Sequence, residues 1–167
     1  MAEIRIIFPG AACISPNFKY NYNESTFNKK ARLCVDGING LVGGTETILI
    51  VDDQETIWDF LIEALQKLGY SVLLAEDGED AVEIYRNNPG EIDLVLLDMV
   101  MPRLDGPEAF RRIRAFDPQA RILLSSGFVS EEDVRELLQA GACGFLPKPH
   151  RLPVVCRAIR EALDASK

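Results

Sequence analysis

Five short, β-branched or leucine-rich runs alternate with five stretches of helical periodicity between Thr45 and the C-terminus, and that alternation constrains the fold more than anything else in the chain. The first run, Thr-Ile-Leu-Ile-Val over 47–51, is apolar throughout and ends in Asp52-Asp53, the pattern of a strand buried on both faces of a parallel sheet. Ile57, Phe60, Leu61, Ala64, Leu65 and Leu68 then recur at helical steps, and Gly69 supplies a stop. Strands are expected at 71–74, 94–97, 122–125 and 144–146, and helices at 78–86, 107–115, 130–140 and 153–165. Ser130 with Asp133 resembles a capping box, and Pro107 fits a first helical turn. Short links between alternating elements predict a doubly wound α/β fold: one five-stranded parallel sheet with helices on both faces.

In such a sheet, ligands sit beyond the carboxyl ends of the strands, so the residues at those ends are the place to look for chemistry. They are Asp52 and Asp53 after the first strand, Asp98 after the third, Ser126 after the fourth and Lys148 after the fifth. Each alone has an ordinary explanation as a turn residue, cap or surface charge. Together they place three carboxylates in one crevice. Such a cluster repels itself unless a cation is present, and its hard oxygen donors suit Mg²⁺. A lysine there can hold a carboxylate and neutralise a phosphoryl group, and a hydroxyl can bind a phosphoryl oxygen.

Composition narrows the partners. The 167 residues carry 26 acids against 18 basic residues, net −8, which opposes the phosphate attraction behind nonspecific nucleic-acid binding. No apolar run approaches the roughly 20 residues of a membrane helix, and Pro9 and nearby charges interrupt any leader at the start, so a cytoplasmic location without membrane insertion is expected. Four cysteines without a CxxC pair and a single histidine, His150, argue against a zinc site and for reduced, packed thiols. Residues 1–44 hold five basic and three acidic residues, whereas 45–167 hold thirteen and 23. The first part is therefore read as an N-terminal extension without an assigned role, loosely packed apart from a short strand at 4–8, and 45–167 as the domain.

Four motifs, Ile-Leu-Ile-Val-Asp-Asp, Leu-Val-Leu-Leu-Asp-Met-Val-Met-Pro-Arg-Leu-Asp-Gly, Leu-Leu-Ser-Ser-Gly and Ala-Gly-Ala-Cys-Gly-Phe-Leu-Pro-Lys-Pro, occur in order. Residues 45–166 thereby resemble the receiver domain of two-component response regulators, which has a flavodoxin-like fold. The resemblance implies that Asp98 accepts a phosphoryl group, that Asp53 binds Mg²⁺ directly with Asp52 helping through water, and that the Val100 carbonyl is a further metal ligand. It also implies that Lys148 binds the phosphate, that Ser126 is the switch hydroxyl, and that Phe145 is the switch aromatic, swinging inward to repack the face of helix four, strand five and helix five. A histidine kinase or phosphotransfer protein would be the donor and a downstream protein the target. Dimerisation on phosphorylation is left open. The domain would be a signalling receiver and not an enzyme, catalysing only its own phosphorylation and dephosphorylation.

Some features depart from the common pattern. Val100 is apolar where a polar side chain could guide an attacking water, so a long-lived phosphoryl group is expected. His150 stands where an aromatic is frequent, and an exposed or capping role is expected for it. Arg103, Arg111, Arg112, Arg114 and Arg121 alternate with acids and are read as an ion-paired face, not a nucleic-acid patch. No output module follows the last helix, so output by docking or by passing the phosphate onward is expected. The run Gly-Gly-Thr-Glu-Thr before the first strand is also similar to that preceding receivers at the C-terminus of hybrid sensor kinases. A stand-alone receiver is preferred to such a fragment. A flavodoxin-like phosphohydrolase using Asp98 as nucleophile and an unphosphorylated docking module are the competing readings.

Overall fold

The computed structural model describes residues 41–165, with side chains throughout except those of residues 55–60. The expected strand at 4–8, Cys13, Cys34 and most of the proposed extension lie outside the described residues, as do the side chains of Ile57 and Phe60. The elements run β1 (Thr47–Val51), α1 (Glu55–Lys67), β2 (Ser71–Ala75), α2 (Gly78–Asn87), β3 (Leu94–Asp98), α3 (Gly106–Phe116), β4 (Ile122–Ser126), α4 (Glu131–Gln139), β5 (Gly144–Pro147) and α5 (Leu152–Asp164). Every element expected within the described residues forms, with boundaries moved by a residue or two. Asp98 and Ser126 become the last residues of their strands rather than the first residues beyond them.

All strand pairs are parallel, in the order β2-β1-β3-β4-β5. This is the 2-1-3-4-5 order of flavodoxin-like doubly wound sheets, which reverses direction between β1 and β3. Alternation along each strand divides the core. Leu49, Val51, Val95, Leu97, Ile122 and Leu124 face a layer formed with α2, α3 and α4, whereas Ile48, Ile50, Leu94, Leu96 and Leu123 face α1 and α5. Central strands covered on both sides are apolar at successive positions for this reason. Of the two described cysteines, Cys156 lies in the second layer, where burial pushes its thiol up to about 11, as expected of a packed thiol, whereas Cys143, just before β5, is exposed and not packed as expected.

Local chemistry sets the helix starts on the crevice side of the sheet. The carboxylates of Asp77 and Asp105 and the hydroxyl of Ser130 accept from the amides of Asp80, Glu108 and Asp133. Gly106 lets α3 start against the end of β3, because a Cβ there would run into the Asp98 carbonyl oxygen and come within 2.5 Å of Met99 Cα. The arginine face is ion-paired, partly with acids other than its neighbours. Arg103 pairs with the buried Asp77, Arg111 with Glu136 and Arg112 with Glu108, while Arg114 donates to the carbonyls of Ala120 and Ala140. Residues 41–44 lie against the domain: Leu41 packs on the α1/α5 layer and the Gly44 amide donates to the Leu68 carbonyl.

Candidate functional site

The carboxyl ends of β1, β3 and β5 deliver their polar side chains to one point. Lys148 Nζ donates to Oδ2 of Asp98 at 2.6 Å and to Oδ2 of Asp52. The remaining oxygens of both acids are held by backbone: Asp98 Oδ1 accepts from the Val100 amide at 3.1 Å, and Asp52 Oδ1 from the Gln54 amide at 2.9 Å. Asp52 and Asp98 are buried, and Asp53 is exposed beside them. Carboxylate oxygens of the three lie within 4.8 Å of one another. That spacing and an all-oxygen donor set fit a hard divalent cation.

One lysine does not balance this charge. Burial pushes the Asp52 carboxyl up to about 6, even though Lys148 and the Gln54 amide favour its ionised form. Lys148 shows the complementary effect, since burial disfavours its charge but hydrogen bonds to both acids hold its amine above the ordinary lysine range. A divalent cation would offset what the lysine leaves over.

Of the other residues singled out by sequence, Ser126 is joined to this group through its backbone, its carbonyl accepting from the Lys148 amide at 2.7 Å. Its Oγ is buried without a hydrogen-bond partner among the described residues, a hydroxyl with unused capacity at the end of the central sheet. Val100 is half exposed. Phe145 pairs with Leu124 in register and is 7% exposed within the α2/α3/α4 layer. The ring expected to swing inward is therefore already inside, because a phenyl group has no hydroxyl to draw it to solvent. His150, expected to be exposed or capping, instead sits half-buried against β4, with Nε2 3.3 Å from Ser125 Oγ. Sequence reading missed Ser125 entirely. Its signal was strand alternation, which sends it to the face opposite Ser126. Also missed was the Asp77–Arg103 pair, which spans the α2 start and the loop after β3, where Arg103 has φ 65°.

The family model for the response regulator receiver domain matches residues 48–160. The chain is 38% identical over 118 residues to the chemotaxis protein CheY of Bacillus subtilis, covering 70% of this chain and 97% of that protein. It is also 35% identical over 123 residues to the sensor kinase CckA of Brucella abortus, covering 74% of this chain but only 13% of the kinase. Among solved structures it resembles the CheX–CheY–BeF₃–Mg²⁺ complex from Borrelia burgdorferi, with TM-score 0.65, 34% identity, and coverage of 68% of this chain and 86% of that one. Among the described residues no helix is long and apolar enough to cross a membrane. With the sheet order, the convergent acids and lysine, and these matches in agreement, the chain belongs to the response regulator receiver domain family of two-component signalling.

Proposed function

We propose that the chain is a phosphorelay receiver that takes a phosphoryl group from a histidine kinase or phosphotransfer protein onto Asp98. The observation that carries this reading is the pair of contacts from Lys148 to Asp98 and Asp52, at the mouth of a three-carboxylate cluster. Asp52, Asp53, Asp98 and the Val100 carbonyl would hold Mg²⁺. When bound, the ion supplies positive charge for the phosphoryl oxygens.

The chain's own residues do the rest. The Asp98 carboxylate, anchored at both oxygens, is aimed by β3 and needs no reorganisation before attack. Its oxygen forms the bond to phosphorus as the bond from phosphorus to the donor's imidazole nitrogen breaks; the electron pair stays on that nitrogen, and the proton already on the ring's other nitrogen leaves the imidazole neutral beside the new acyl phosphate. Lys148 then exchanges Asp98 for a phosphoryl oxygen while keeping Asp52. Ser126 Oγ donates to another phosphoryl oxygen, which gives a buried hydroxyl the partner it lacks among the described residues. Drawing Ser126 and Lys148 toward the phosphoryl group pulls on β4 and the turn after β5, and so biases the surface of α4, β5 and α5 toward docking a downstream protein. With Phe145 already buried, that surface changes by shifts of these strand ends around a fixed ring. Loss of the group returns the domain to its starting state, so the only turnover is its own phosphorylation and dephosphorylation. A cytoplasmic site of action follows from the donor chemistry.

Incubation with acetyl phosphate and Mg²⁺ tests the reading. Covalent labelling that vanishes in Asp98→Ala supports it, turnover of a phosphomonoester supports a phosphohydrolase instead, and inertness supports a docking module. The match to a small part of a sensor kinase favours one variant of the same reading, a receiver working within a longer kinase.

A further inference from the structure

Ser125 and Ser126 are neighbours on β4, yet they serve different layers, as Leu123 and Leu124 do before them. Ser126 belongs to the crevice. Ser125, just as buried, spends its hydroxyl on the ring of His150. The other ring nitrogen, Nδ1, lies 3.2 Å from the carbonyl oxygen of Pro147. A carbonyl can only accept, so the proton belongs on Nδ1, and Nε2 offers its lone pair to the Ser125 hydroxyl. Burial also holds the imidazole below its ordinary titration range, with Lys148 on its own turn and Asp98 on β3 as the charges that face it. The two bonds bracket Lys148: one ends on the residue before it, the other on the strand beside it. Ser125 ties in the phosphoacceptor as well, since it pairs with Asp98 in register and its carbonyl accepts from the Met99 amide at 2.9 Å.

We propose that His150 is a positioning residue for Lys148, clasping the 147–150 turn to β4 so that the lysine amine can move from Asp98 to a phosphoryl oxygen while its backbone stays fixed. This rests on the phosphoacceptor reading above.

Because the 167-residue chain has one histidine, its ring is identified without assignment work. Nitrogen-15 NMR is expected to show the Nδ1–H tautomer at neutral pH and a titration midpoint below that of an exposed histidine. Ser125→Ala removes the donor that stabilises the neutral ring, so the midpoint should rise. In acetyl phosphate labelling, His150→Phe keeps a ring but loses both bonds. It should slow labelling at saturating donor and Mg²⁺ by about 3- to 10-fold, the equivalent of one hydrogen bond, while the Mg²⁺ concentration for half-maximal labelling stays the same. His150→Asn, whose amide can replace the Nδ1–H, should recover part of the rate, and adding Ser125→Ala to His150→Phe should cost nothing more. The Nε2–H tautomer, a midpoint indifferent to Ser125→Ala, or a wild-type rate in folded His150→Phe would each overturn the clasp. If His150→Phe does not fold, the tautomer and the Ser125→Ala shift decide. Labelling that requires Asp98 but ignores His150 sinks the clasp alone, whereas labelling that survives Asp98→Ala sinks the site reading and the clasp with it.

Discussion

Lys148 is the side chain on which the crevice depends, because both of its partners are buried acids and it is itself mostly covered. Removing one member of a buried ion pair leaves the other charge uncompensated, which costs far more than the pair contributes net. Lys148→Met is therefore expected to destabilise the protein by about 3 kcal/mol in urea titrations run with a chelator at neutral pH. The loss should shrink on acidification, as Asp52, already up to about 6, takes a proton. Val100 makes the opposite kind of prediction, because its half-exposed isopropyl group is idle. It offers no hydrogen bond to a water approaching the acyl phosphate. Val100→Asn supplies one and should speed loss of label from the wild-type rate by about tenfold, followed as decay of the phosphorylated protein after donor removal. An unchanged decay would mean that the water approaches along a path Val100 does not border.

At the scale of elements, the start of the domain is fastened to its last helix. Arg160 on α5 reaches both oxygens of Glu46, at 3.2 and 2.8 Å, and also the Tyr70 hydroxyl and Asp164. The residues just before β1 are thus joined to a helix of the proposed output face. The Arg160 bond holds the Glu46 carboxyl below its ordinary 4.5. A carboxyl lowered on folding binds fewer protons in the native state than in the unfolded one, so its stabilisation is complete above the unfolded value and is lost as pH falls through the folded value. Glu46→Gln should cost about 1 kcal/mol at pH 7, a modest figure because Glu46 is a quarter exposed. The difference from wild type should close on acidification below 4.5, as measured by urea unfolding at a series of pH values. Sequence could not reveal this pairing. Glu46 and Arg160 are 114 residues apart, and nothing in either local pattern distinguishes them from solvated charges. The helices themselves were legible, since Gly69, Pro107 and Ser130 mark their ends by backbone and capping chemistry that acts over a few residues.

For the whole molecule, legibility followed the same division between local and long-range information. Uninterrupted apolar runs specify central parallel strands, and short links specify the winding. The acids at the strand ends could thus be assigned to one crevice before any distance was known. What could not be read was how each side chain settles there: Asp53 remains exposed while Asp52 is buried, Phe145 is buried beside Leu124 of β4, and His150 is half-buried against Ser125 of the same strand. That settlement has a consequence for global stability. In a chain of net charge −8, three acids facing a single lysine are a standing repulsion that the rest of the fold must offset. A cation bound only by the native state relieves it, and that relief is part of the cation's binding free energy. Mg²⁺ at ten times its dissociation constant should stabilise the protein by about 1.4 kcal/mol, a rise of about 4 °C in thermal midpoint over the chelated sample. Asp53→Asn separates the two contributions. By deleting one acid it should raise the midpoint in chelator, and by deleting a ligand it should abolish the further rise with Mg²⁺. If Asp53→Asn lowers the chelated midpoint, the carboxylate cluster does not repel itself, and if it leaves the Mg²⁺ response intact, Asp53 does not hold the ion; with both outcomes, the cluster's place at the strand ends needs another cause.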